Sequence, residues 1–157
     1  MEKILVAMDP MRTNFYACIH ALNLAKRIKA RVLFLLVFSQ PARETKRSFE
    51  EEIAVSVKRR LESFIEEGRS EGIVMDYYLV YGDYENEIVS FVHENRITLL
   101  VVESPAEHGL LSESFRRFLD KIRHRINCRI EVVNEKPVIS ERKEESSVAS
   151  VPTDSGK

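Results

Sequence analysis

Five short apolar runs alternating with four helical segments predict a doubly wound, five-stranded parallel α/β sheet with helices on both faces. Three observations carry this expectation. The runs Ile4 to Met8, Val32 to Phe38 and Leu99 to Val102 are continuously apolar, as strands buried on both faces must be. The segments between the runs repeat apolar residues at three- and four-residue spacing, the period of a helix with one buried stripe. Strand and helix alternate from one end to the other, so right-handed crossovers leave the strands parallel.

Taken in order, Ile4 to Met8 is the first strand and Asp9-Pro10 ends it. A helix follows from Thr13 or Asn14, both suited to cap it, to about Lys29. Its apolar face is Cys18, Ala21, Leu22, Ala25 and Ile28, and Lys26, Arg27 and Lys29 suit the negative end of its dipole. Val32 to Phe38 is the second strand, and Ser39 to Thr45 a loop. A long helix from about Lys46 to Glu67 presents Phe49, Ile53, Val57, Leu61 and Phe64 on one face, with Gly68 and Gly72 bracketing its end. Val74 to Tyr81 is the third strand; its polar and aromatic character (Asp76, Tyr77, Tyr78) suits a sheet edge.

Gly82-Asp83 turns the chain, and Asp83 caps a helix from Tyr84 to Glu94 with Ile88, Val89, Phe91 and Val92 buried. Thr98 to Val102 is the fourth strand. Ser112 or Ser114 caps the last helix, whose apolar face is Phe115, Phe118, Leu119, Ile122 and Ile126, ending at Asn127. Arg129 to Val133 is the fifth strand. Residues 1–135 therefore form one domain. From 136 to 157 the chain changes character: two prolines, five serines and no apolar periodicity predict a disordered tail.

With 24 Lys and Arg against 25 Asp and Glu, the formal net charge is −1, which argues against a general nucleic-acid binder. No apolar run approaches the roughly 20 residues of a membrane span. Met1-Glu2-Lys3-Ile4 runs straight into a strand without a signal-peptide design, so a cytoplasmic protein is expected. Cys18 and Cys128 are too few for a disulfide framework or zinc site and read as small buried residues. His20, His93, His108 and His124 show no metal-ligand spacing, and no nucleophile–base set can be assembled, so neither a metal nor a catalytic residue is expected.

In an open α/β sheet, ligands sit beyond the carboxyl ends of the strands at the topological switch point. A phosphate binder places glycines there, so that backbone N–H groups and a helix N-terminus approach the anion. After the fourth strand this chain instead reads Glu103-Ser104-Pro105-Ala106-Glu107-His108-Gly109. His108 sits in this crevice loop and reads as an exposed loop histidine.

With these elements in place, the segments Lys3 to Asp9, Ala21 to Lys26, Tyr81-Gly82-Asp83 with Ile88, Leu99 to Val102 and Cys128 to Val133 resemble the universal stress protein family. The resemblance covers Glu2 to Val133 and implies the sheet order 3-2-1-4-5 and a homodimer. Nucleotide-binding members carry a Gly, two residues, a Gly, nine residues, then Gly followed by Ser or Thr after the fourth strand. Those four positions fall here on Glu103, Ala106, Arg116 and Arg117, and Gly109 is the one glycine left in the loop. Asp9 matches the acidic residue near the nucleoside in ATP-binding members.

A carboxylate about 4 Å from a phosphate charge at an effective dielectric near 20 is repelled by about 4 kcal/mol. That corresponds to roughly a thousandfold in affinity. The expectation is a degenerate pocket of Asp9, Glu103, Ala106, Gly109, Arg116 and Arg117, in which Glu103 pairs with one of the two arginines, and no bound cofactor. The alternative is ATP or AMP held by Asp9 and the two arginines in a changed geometry, with possible weak hydrolysis.

The fifth strand is an edge in the implied order, and Arg129 to Val133 has no proline or bulge to protect it. Pairing of two such edges about a two-fold axis predicts a homodimer. The last helix and its exit are basic (Arg116, Arg117, Lys121, Arg123, Arg125 and Arg129), which reads as a solvated face or as a dock for an acidic partner or anion. A receiver-type signalling domain is the competing topology. However, Met8 stands where a second acid should precede Asp9, and Asp83 caps a helix instead of ending the third strand.

Overall fold

β1 (Glu2–Met8) lies at the centre of a parallel sheet of order β3-β2-β1-β4-β5 in the computed structural model, which describes residues 1–39, 44–105 and 112–133. β2 (Ala30–Phe38) pairs with it on one side, Ile4 opposite Val32, and β4 (Leu99–Glu103) on the other, Ile4 opposite Leu99. β3 (Val74–Tyr81) and β5 (Arg129–Val133) are the edges. The fold class and strand order are those expected.

Alternation along the strands divides the core in two. Ile4, Val6 and Met8 join Val32, Phe34 and Leu36 on the face covered by α1 (Tyr16–Arg27) and α2 (Glu44–Ser70). Leu5, Ala7, Leu33, Leu35, Leu100 and Val102 join the face covered by α3 (Tyr84–Asn95) and α4 (Glu113–Arg123). Burial of each such Leu or Ile contributes about 1.5–3 kcal/mol, and the central strands supply most of them.

Several boundaries and faces differ from the sequence reading, each for a local reason. α1 begins at Tyr16, and neither Thr13 nor Asn14 is its cap; Phe15 occupies that position with φ 65°. A left-handed conformation is a genuine outlier for a bulky side chain. Phe15 is nonetheless buried, stacked on Phe64 at 5.9 Å, with the Arg60 guanidinium 4.3 Å over its ring. α1 ends at Arg27, so Ile28 falls beyond it and is exposed. α2 runs from Glu44 through Ser70, so residues 44 and 45 belong to a helix, while residues 40–43 of the expected loop lie outside the described residues. Phe49 is 57% exposed and leaves the apolar face, which starts at Ile53 and Val57.

Gly68 lies inside α2, and Gly72, at φ 85°, makes the turn into β3. Asp83 caps α3 by accepting the Asn86 N–H at 3.0 Å, and Ser112 caps α4 by accepting the Phe115 N–H at 3.2 Å. α4 stops at Arg123 with His124 as its C-cap, so the buried Ile126 reaches the core from the turn that follows. The tail from 136 to 157 lies outside the described residues.

Candidate functional site

β1 connects through α1 on one face and β4 through α4 on the other, so the two chains diverge beyond their carboxyl ends. The crevice this opens is the switch point of the sheet. It holds a cavity of about 190 Å³ lined by Ala7, Met8, Asp9, Arg12 and Thr13 from the β1 end, Tyr84 from α3, and Glu103, Ser104 and Pro105 from the β4 end. Ser114, Phe115 and Phe118 of α4 close the remaining wall. The volume lies below the roughly 300–1,000 Å³ usual for small-molecule sites.

Glu103 is the residue that shapes this crevice. One carboxylate oxygen accepts the Thr13 hydroxyl at 2.9 Å and the Asn14 N–H at 3.1 Å; the other accepts the Tyr16 N–H at 2.8 Å. The first turn of α1 contains no acidic residue, and Phe15 makes no side-chain cap. A carboxylate from a strand 87 residues away therefore takes the place of an N-cap, against the positive end of the helix dipole. Thr13 is held for this by accepting the Phe15 N–H at 3.0 Å while donating to Glu103.

Asp9 stands at the rim, partly exposed. It accepts the Met11 N–H at 3.0 Å and lies 3.9 Å from Nε of Arg12, a loose and solvated pair. Below the two acids, the Tyr84 hydroxyl donates to the Ala7 carbonyl at 3.3 Å. Tyr84 and Phe118 lie 5.4 Å apart, and Phe118 and Phe115 5.7 Å, so the floor is aromatic. Burial pushes the Tyr84 pKa well up, and the charges of Asp9 and Glu103 add to it. Burial likewise raises the Cys18 thiol, with Glu103 adding to the shift, which makes that cysteine inert.

Ser104 is 4% exposed, and its hydroxyl has no hydrogen-bond partner among the described residues. Its backbone N–H is satisfied by the Val133 carbonyl at 2.9 Å, which extends the β4–β5 ladder.

Of the residues expected to form the pocket, Asp9 and Glu103 line one cavity. Arg116 and Arg117 lie exposed on α4, and neither pairs with Glu103; the expected Glu103–arginine closure is replaced by the contact with α1. The reason is electrostatic and geometric: three preorganised donors at a helix start satisfy the carboxylate, whereas an ion pair with an exposed arginine is screened by solvent and contributes little. Ala106, His108 and Gly109 lie outside the described residues.

Sequence reasoning missed Tyr84, Ser104 and a contact between His20 of α1 and Glu131 of β5, Nε2 to carboxylate 2.6 Å. Tyr84 at the first position of its helix was visible, but nothing local shows that its ring reaches under β1. Cys18 is buried as expected, whereas Cys128 is only half-buried. Among the described residues no group of three or more His, Cys, Asp or Glu side chains is placed to hold a metal ion, and no helix is long and apolar enough to cross a membrane.

Fold and crevice together define a doubly wound α/β domain with its switch-point crevice between β1 and β4. The universal stress protein family model matches residues 1–134, and the chain belongs to that family. A search of curated proteins found no match. Among solved structures, the chain is similar to the universal stress protein UspA from Lactobacillus plantarum: 16% identity, 85% of this chain and 97% of that one, TM-score 0.68. It is also similar to a universal stress protein from Archaeoglobus fulgidus in complex with dAMP, with 16% identity, 85% and 98% coverage and TM-score 0.57. A universal stress protein family protein from Arabidopsis thaliana with AMP bound shows 19% identity, 86% and 92% coverage and TM-score 0.57.

Proposed function

We propose that this chain is a stress-response regulatory domain that does not hold ATP, and that it acts in the cytoplasm through protein partners as a homodimer paired along β5. The observation that carries this reading is the Glu103 carboxylate, fixed by three donors of the α1 start on the wall of the crevice that also bears Asp9. A polyphosphate entering beside two carboxylates meets repulsion of about 4 kcal/mol for each charge pair near 4 Å, which the exposed and loosely paired Arg12 offsets only in part. Calorimetric titration with ATP and magnesium tests it. No heat is expected at millimolar nucleotide, and micromolar affinity overturns the reading.

A second reading, adenine-nucleotide binding with possible slow hydrolysis, draws on two observations. Ser104 lines the cavity with a buried hydroxyl that has no partner among the described residues, and two of the similar structures are complexes with dAMP or AMP. In this reading Asp9 meets the nucleoside, and Arg116 and Arg117 supply positive charge in place of the glycine N–H groups. AMP in the same titration separates the two: binding of AMP favours the second, silence the first.

A further inference from the structure

We propose that the crevice cavity is a binding site for a small protonated amine with an apolar body. The inference rests on the reading that the phosphate position is closed. Three independent features of the wall point to this chemistry. The first is charge: Asp9 and Glu103 both line the cavity, and among the described lining residues Arg12 is the one cation, its side chain 74% exposed and its Nε 3.9 Å from Asp9. An entering ammonium displaces only a solvated surface pair, a contact of small worth.

The second feature is the floor. Tyr84, Phe115 and Phe118 form a continuous aromatic surface, ring to ring at 5.4 and 5.7 Å, that buries a hydrocarbon or ring but offers an anion nothing. The third is Ser104, a lining residue 4% exposed, whose buried hydroxyl has no hydrogen-bond partner among the described residues. A buried hydroxyl left unmatched is unfavourable, and an ammonium N–H supplies the donor it lacks. The volume of about 190 Å³ restricts the ligand to a single ring or short chain. Phosphorylated ligands are disfavoured by the same acids that attract the amine.

Three probes of similar size test this by ligand-observed and protein-observed NMR on the full chain: benzylammonium, its isostere benzyl alcohol, and benzoate. Benzylammonium is expected to bind at least about tenfold more tightly than benzyl alcohol, with benzoate weakest. Its largest shifts should fall on Tyr84, Phe115 and Phe118. Asp9→Asn, a substitution at the partly exposed rim that leaves the α1 cap intact, should narrow the gap between benzylammonium and benzyl alcohol. Equal affinity for all three probes, a preference for benzoate, an unchanged gap in Asp9→Asn, or no binding at millimolar benzylammonium each overturns the proposal. A parallel titration with ATP keeps the two readings apart. Silence from both ligands removes the amine site and leaves the closed phosphate position standing, whereas ATP binding removes the reading beneath it.

Discussion

The Glu103 carboxylate at the end of β4 accepts the backbone N–H of Tyr16 at the start of α1 at 2.8 Å, joining residues 87 apart in sequence. With Thr13 and Asn14 it completes three hydrogen bonds to one side chain, and α1 has no side-chain cap of its own. The same carboxylate thus closes a helix end and sets the sign of the crevice. Phe15 takes up the left-handed turn between these donors, held by Phe64 and Arg60. Backbone strain of this kind, about 1–3 kcal/mol, persists where the surroundings over-determine it.

Glu103→Ala should therefore destabilise the fold by about 1–3 kcal/mol, the combined range for a lost cap and charge-assisted hydrogen bonds. Glu103→Gln retains an acceptor oxygen and should lose about half as much. Urea unfolding monitored by circular dichroism reads both. An alanine variant within about 0.3 kcal/mol of the parent would show that water substitutes for the carboxylate.

Tyr84 should give the fold an alkaline liability. Its pKa is raised in the folded state from a usual 10.0, first by burial and then by Asp9 and Glu103. The unfolded chain therefore releases this proton from about pH 10 upward while the folded chain keeps it. Stability is full below that pH and falls as pH rises toward the folded pKa, by at most about 1.4 kcal/mol per pH unit for this one group. Tyr84→Phe, despite losing the bond to the Ala7 carbonyl, should show a shallower decline between pH 10 and 11. An identical slope in the two proteins refutes the assignment.

Gly68 should resist the substitution that helix propensity favours. Alanine in a helix interior gains about 1 kcal/mol over glycine. A Cβ at Gly68 would lie 1.9 Å from Sδ of Met75, a residue only 1% exposed, with the Leu22 side chain next nearest. Overpacking costs about 1–3 kcal/mol, so Gly68→Ala should be net destabilising by roughly 1 kcal/mol. In a Met75→Ala background the same change should become neutral or stabilising, which a double-mutant cycle in urea detects.

The proposed assembly through β5 predicts a specific proline effect. The Val133 carbonyl faces β4, where it accepts the Ser104 N–H, so by strand alternation the backbone groups of Ile130 and Val132 face the outer edge. Val132→Pro removes an outward N–H while sparing the β4 ladder. Light scattering at micromolar concentration should give twice the chain mass for the parent and the single-chain mass for Val132→Pro. A monomeric parent contradicts β5 pairing directly. The His20–Glu131 contact lies on the α1-covered face of the same strand and should keep β5 docked in either state.

The doubly wound class, the β-α order and the two caps at Asp83 and Ser112 were legible in the chain, because each rests on neighbours within a few residues. Short continuous apolar runs bounded by turn signals suit strands buried on both faces, and a three-four repeat suits one helical stripe. The strand order came from family resemblance, and the displacement of glycine by Glu103 was visible from the same source. What Glu103 does with its charge was not. Its partners lie 87 to 90 positions earlier, two of the three are backbone N–H groups that have no signature in sequence, and a pair with Arg116 or Arg117 reads equally well on paper. Likewise Tyr84, Ser104 and His20 acquire meaning only when β1, β4 and β5 come together. Periodicity is a local property that survives in the linear chain, whereas the satisfaction of a buried or charged group depends on which distant donors the sheet carries to it, and only the folded arrangement decides that.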